Sequence, residues 1–234
     1  MTAERLVLFD IDATLLLTAG AGRRAITAAL AEEVADISGF HQVHFDGKTD
    51  PQIISELLHV AGYAPPHDQE RVQALCRRYV SLLETELGGT APGTVLMPGI
   101  RELLARLLDD QTLVLGLLTG NLVDGAVLKL RSAGLDPASF KVGAYGSDSA
   151  HRPDLPGIAA GRARPFFGGR APSGHAVVIV GDTPSDIGCG AEIGARAIAV
   201  ATGRWSRADL LACHPYAAFE DLSDTDAVVR AIVE

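Results

Sequence analysis

Hydrophobic positions along the chain change their spacing twice. A short apolar run, Arg5 to Phe9 (RLVLF), has strand length and ends in the polar segment DIDAT. From residue 16 onward the apolar positions recur three and four apart, the helical period. AGAGRRAITAALAEEV carries Ile26, Leu30 and Val34 on one stripe, and HDQERVQALCRRYVSLLETELGG carries Val72, Leu75, Tyr79, Leu82 and Leu83. Between them TDPQIISELLHVAG predicts a helix with Asp50 as N-cap, Pro51 in the first turn and Gly62 at the stop. The Gly/Pro-rich stretch GGTAPGTVLMPG then predicts a boundary.

Beyond it, helical and strand-like segments alternate. GIRELLARLLDD, VDGAVLKLRSAGL, DLPGIAAGRARPF and TPSDIGCGAEIGA read as helices, and TLVLGLLTGN, FKVGAY, HAVVIVGD and RAIAVAT as strands. The tail adds a helix (SRADLLAC), a short edge strand (YAAFED) and a last helix (DTDAVVRAIVE). Such alternation indicates parallel βαβ units, and unbroken apolar runs such as VVIV suit strands covered on both faces. The fold class expected is α/β, a doubly wound parallel sheet. Residues 1–15 and 95–234 would form it, with a helical insert over 16–94.

Composition narrows the function. With 47% hydrophobic residues among 234, the chain has material for a sizeable core. A net charge of −9 and no basic cluster make nucleic acid or an anionic membrane a poor partner, and an anionic substrate would need local positive charge, such as a metal ion. Cys76, Cys189 and Cys213 are odd in number and widely spaced, with neither a metal pattern nor a disulfide framework. The opening MTAERLVLFD lacks a signal-peptide pattern, and the apolar runs are too short to span a bilayer. A cytoplasmic location is expected; nothing here sets the oligomeric state.

Chemistry in open α/β sheets gathers at the C-terminal strand ends. There the chain places Asp10 and Asp12, the loop Thr119-Gly120-Asn121, and GDTPSD with Asp182 and Asp186. Each has a structural explanation: a capped turn, an ordinary loop, or a helix start with Thr183 as N-cap and Pro184 at N1. The last leaves Asp182 and Asp186 unaccounted for. The alternative is one site for Mg²⁺ and phosphate, because Mg²⁺ prefers hard oxygen ligands and would relieve the repulsion between Asp10 and Asp12. The Thr119 hydroxyl and backbone N–H groups would hold phosphate oxygens.

The order D-x-D-x-T, strand-T-G, a basic residue before P-D, then G-D-T-P-x-D resembles the haloacid dehalogenase (HAD) superfamily, and the helical insert resembles the cap of its phosphoglycolate-phosphatase-like members. The resemblance implies an Mg²⁺-dependent phosphatase working through an aspartyl phosphate. Asp10 would be the nucleophile and Asp12 the acid/base. Asp10, the Asp12 carbonyl and Asp182 would hold metal, with Thr14 and Asp186 behind them. Thr119, Gly120, Asn121 and Arg152 would bind phosphate. It also implies that the motif-bearing strands lie in the order 5-4-1-2-3. Two departures are present: Ala13 stands where the family has Gly, and Arg152 where it has Lys, with Lys141 as another basic candidate.

The resemblance also implies that an Asp at position 12 favours phosphoester hydrolysis or phosphoryl transfer over dehalogenation. A small phosphorylated metabolite is the substrate class expected, with Lys48, in the turn FDGKTDPQ, either reaching its distal group or solvated. His41 and His44 read as loop residues, and Trp205 as packing beyond the last strand. A phosphomutase, or a phosphate-binding or signalling protein without catalysis, are the alternatives; a receiver domain would be about half this length.

Overall fold

In the computed structural model, which describes residues 2–89 and 93–234, β1 (Arg5–Phe9) is the centre of a parallel sheet. Leu6, Val7, Leu8 and Phe9 are all fully buried. Alternation sends Val7 and Phe9 into one apolar cluster and Leu6 and Leu8 into another. Each such side chain stabilises the fold by roughly 1.5–3 kcal/mol, enough in sum to carry a carboxylate into the interior at the strand's end.

A two-residue strand, β2 (Leu16–Leu17), follows, then α1 (Ala21–Ala31), α2 (Asp50–Val60) and α3 (Gln69–Gly88). After β3 (Val95–Leu96) come α4 (Ile100–Asp109), β4 (Leu113–Thr119), α5 (Val123–Ser132), β5 (Val142–Tyr145) and α6 (Leu155–Ala163). The chain ends with β6 (Val177–Gly181), α7 (Pro184–Cys189), β7 (Arg196–Val200), α8 (Arg207–Leu211), β8 (Ala217–Phe219) and α9 (Thr225–Val233). The middle of the Gly/Pro-rich stretch, residues 90–92, lies outside the described residues.

Sheet order is β5-β4-β1-β6-β7-β8, with every neighbouring pair parallel. Counting β1, β4, β5, β6 and β7 as strands one to five gives the order the sequence led us to expect, with β8 added beside β7. Helices α4, α5 and α9 cover one face through Leu103, Leu130 and Ile232, and α6 covers the other through Leu155 and Ala159. Trp205 packs on a small cluster of Ala199, Leu210 and Ala218.

Helices α1, α2 and α3 bury their stripes in a cluster of their own around Ile26, Ile54, Leu57 and Tyr79. Two differences from the sequence reading occur here. The antiparallel pairing of β2 with β3 carries the chain between the sheet and the helical segment, and neither strand is long enough to show a period. The N-cap of α2 is Thr49, not Asp50: Thr49 is extended (φ −87°, ψ 151°) and its hydroxyl accepts from Gln52 N, while Asp50 is already helical. This frees the Asp50 carboxylate to accept the Leu122 N–H at 2.8 Å, on the loop after β4. Among the described residues no helix is long and apolar enough to cross a membrane.

Candidate active site

Strand register brings the motif residues to one edge. Phe9 pairs with Leu117 on one side and Val180 on the other, so Asp10 lies one residue beyond this row and Thr119 and Asp182 lie two beyond it, all at the same sheet edge. The Asp10 N–H continues the ladder to Val180 O at 3.0 Å. Carboxylate oxygens of Asp10, Asp182 and Asp186 lie within 4.8 Å of one another, and all three residues are buried.

A single guanidinium faces these three carboxylates. Arg152 Nη2 is 3.3 Å from Asp10 Oδ1 and also pairs with Asp186 Oδ1, and its buried Nε has no partner among the described residues. Asp186 Oδ2 accepts from the Thr183 N–H (3.0 Å) and hydroxyl (2.6 Å), closing a capping box on α7. Thr14 Oγ1 donates to Asp182 Oδ1 at 3.3 Å. Burial pushes the Asp10 carboxyl up to about 7 against the pull of Arg152, with Asp186 and Asp12 adding to the rise. Burial, then Asp186, Asp10 and Asp12, push Asp182 up to about 9. An all-oxygen cluster short of positive charge has the donor chemistry of a hard divalent cation, so these residues fit Mg²⁺. The side chain of Asp12 is not part of the cluster; Asp186 is its third member.

Asp12 points into different company. Its side chain is 45% exposed, yet Lys129 Nζ, buried behind it, lies 2.7 Å from Oδ1 and 2.6 Å from Oδ2. Asn121 Nδ2 donates to Asp12 Oδ2 (2.8 Å) and to Thr119 Oγ1 (2.7 Å), and Asn121 Oδ1 accepts from Lys129 (2.6 Å). The sequence reading passed over Lys129. A signal was present: with Gly125, Ala126 and Leu130 it lies on the buried stripe of α5, where a lysine needs a partner.

A cavity of about 440 Å³ opens over both groups. Asp10, Asp12, Thr119 and Arg152 line its sheet side; Arg23, Phe45 and Lys48 line the helical side. Loop 45–49 sits tight on the sheet edge: a Cβ on Gly120 would lie 2.0 Å from Lys48 O, so that approach requires glycine. Gly203 is constrained the same way, since a Cβ there would lie 1.9 Å from Asp182 Oδ2. Lys48 reaches the cavity wall with its ammonium paired to Glu56. Lys141 donates to Ala138 O instead, and His44 contacts Arg204 Nη1 at 3.1 Å. Ala13, between the two carboxylate groups, has φ 60°.

A family model described as HAD-hydrolase-like matches residues 158–225. No curated protein matches the chain. Among solved structures, a hydrolase from Pseudomonas syringae is 20% identical with TM-score 0.72, covering 98% of this chain and 99% of its own. CbbY from Rhodobacter sphaeroides, in complex with phosphate, is 20% identical with TM-score 0.69, covering 96% of each chain. A predicted phosphoglycolate phosphatase from Haemophilus somnus 129PT is 17% identical with TM-score 0.71, covering 98% of this chain and 99% of its own. At such identities the structures establish a shared fold, a parallel sheet with this helical segment. The family match adds that residues 158–225 are similar in sequence to HAD-like hydrolases.

Proposed function

We propose that the chain is an Mg²⁺-dependent phosphatase acting on a small phosphomonoester through an aspartyl phosphate on Asp10. The observation that carries this reading is the cavity with Asp10 beside Arg152 on one side and Asp12 on the other. Asp10, Asp182 and the Asp12 main-chain carbonyl would hold Mg²⁺, which when bound supplies positive charge for the phosphoryl oxygens and the crowded carboxylates. Asp186 has both oxygens engaged, by Arg152 and by Thr183, and so orients the guanidinium.

The phosphoryl group would rest against Arg152, the Thr119 hydroxyl and the N–H groups of Gly120 and Asn121. An Asp10 oxygen attacks phosphorus, the bond to the ester oxygen breaks, and Asp12 gives that oxygen its proton. Asp12 then takes a proton from water as the water oxygen attacks phosphorus. The bond to Asp10 breaks and inorganic phosphate leaves. Residues 16–94, acting as a cap, would exclude bulk water while the intermediate exists. The unpartnered Nε of Arg152 is a donor that a phosphoryl oxygen can satisfy.

The solved relatives that bind phosphate or are named phosphoglycolate phosphatase support this substrate class. The test is phosphate release from a panel of small phosphomonoesters, with Mg²⁺ and with chelator, for the wild type and Asp10→Asn. Mg²⁺-dependent release that falls by roughly three orders of magnitude or more in the variant is expected. Turnover that survives in Asp10→Asn would sink the mechanism, and transfer to a sugar hydroxyl without phosphate release would make the chain a mutase.

A further inference from the structure

We infer that Lys129 is a positioning residue for Asp12, and that it sets how well the chain acts on esters whose leaving oxygen needs a proton. This rests on the hydrolase reading above. The ammonium has three protons and meets three acceptors: both oxygens of Asp12 and Oδ1 of Asn121, at 2.6–2.7 Å. Exposure is lopsided across the pair. Lys129 is 5% exposed and Asp12 45%, so the carboxylate faces the cavity and the cation stands behind it.

A lysine serving only to fill space between α5 and the helical segment would be inferior to Met or Leu, because burying an ammonium is costly. The arrangement instead addresses a problem particular to Asp12. A half-exposed aspartate rotates among rotamers, and an acid must lie within hydrogen-bond reach of the oxygen it protonates. Lys129 holds both oxygens from behind while Asn121 ties Oδ2 to the Thr119 hydroxyl. Phosphate-binding loop and acid/base are thereby held in one register by a group that touches neither phosphorus nor the ester oxygen.

The consequence depends on the leaving group. An alkoxide must be protonated as it departs, whereas a nitrophenolate leaves unaided. Lys129→Met is therefore expected to lower kcat/KM for a primary alkyl phosphate by about a hundredfold, and for nitrophenyl phosphate by less than about fivefold. In an Asp12→Asn background the same change is expected to have almost no further effect on either substrate, since the group it positions is gone. Lys129→Gln, uncharged and one bond shorter, removes the hold on both Asp12 oxygens while leaving a polar side chain in place, and it carries the same comparison if the Met variant does not fold. Equal losses on both substrates, or an undiminished effect in Asp12→Asn, would show that Lys129 serves the fold alone and would overturn the inference. A wild type inert toward every phosphomonoester would overturn the hydrolase reading, and this inference with it.

Discussion

Two carboxylate neighbourhoods share one cavity and are built on opposite principles. Around Asp10, three buried carboxylates face one guanidinium, and burial with like-charge repulsion raises Asp10 and Asp182 well above the usual range. Around Asp12, one half-exposed carboxylate is met by a whole ammonium and an amide. The first neighbourhood is short of positive charge, whereas in the second Asp12 already has a cation of its own. A cation added to the cavity therefore has one place where it is strongly favoured, and Asp12 beside it keeps its own counter-ion.

The largest test of this contrast is the thermal effect of Mg²⁺. A cation that binds only the folded chain, at a hundredfold excess over its dissociation constant, stabilises it by about 2.7 kcal/mol. For a chain of this size that raises Tm by roughly 5–10 °C. Calorimetry with Mg²⁺ against chelator should show the rise in the wild type and in Lys129→Met, and should lose most of it in Asp182→Asn. A rise that disappears in Lys129→Met would mean that the two neighbourhoods are not independent.

Asp50 sharpens the comparison from the Asp12 side. It is buried near Lys129, accepts the Leu122 N–H, and burial pushes it up to about 6, with Lys129 and that hydrogen bond only partly opposing the rise. Because the folded value lies above the ordinary 3.8, the folded chain binds this proton more tightly than the unfolded chain does. Its contribution to stability is complete below about pH 3.8 and is lost as pH rises through about 6. Above that, the ionised group costs on the order of 3 kcal/mol. Asp50→Asn retains an acceptor for Leu122 and carries no charge. Denaturant melts between pH 4 and 8 should show the variant gaining on the wild type as pH rises, with the gap complete by about pH 7. A gap independent of pH would mean that Lys129 already neutralises Asp50 together with Asp12.

How much of this was legible in the sequence follows the same division. Strands such as VVIV announce themselves because both faces are buried, and the residues just past their ends need no tertiary knowledge to be placed at a common edge. That is why the sheet order, and the meeting of Asp10, Thr119, Arg152 and Asp182 in one cavity, agree with a reading of the motifs alone. Lys129 was not legible as a motif, because it stands 117 residues from Asp12 and carries its information only through the helical stripe it occupies. Thr49 and Asp50 are both good caps, and only the contact with Leu122 decides between them. The β2–β3 ribbon, two residues a side, is created by chain crossing and has no pattern of its own.

Ala13 gives the smallest and most local test, because it is the hinge between the two neighbourhoods. The residue before it faces Lys129, and the residue after it, Thr14, donates to Asp182. Sending consecutive side chains to opposite groups requires a sharp turn, and Ala13 makes it with φ 60°. The turn is pinned at both ends: the Ala13 N–H donates to Leu16 O at 2.8 Å, and its carbonyl accepts from the Thr202 hydroxyl. An L-residue pays roughly 1–2 kcal/mol in this region, and glycine does not. Glycine returns part of the gain as extra freedom of the unfolded chain, so Ala13→Gly should stabilise by about 1 kcal/mol, or 2–4 °C. Since the pinning bonds are backbone and Thr202 bonds, the Mg²⁺-induced rise in Tm should be unchanged. A variant that is more stable but responds less to Mg²⁺ would show that the strained turn, and not the charge of the cluster, is what holds Asp10 and Asp182 ready for the cation.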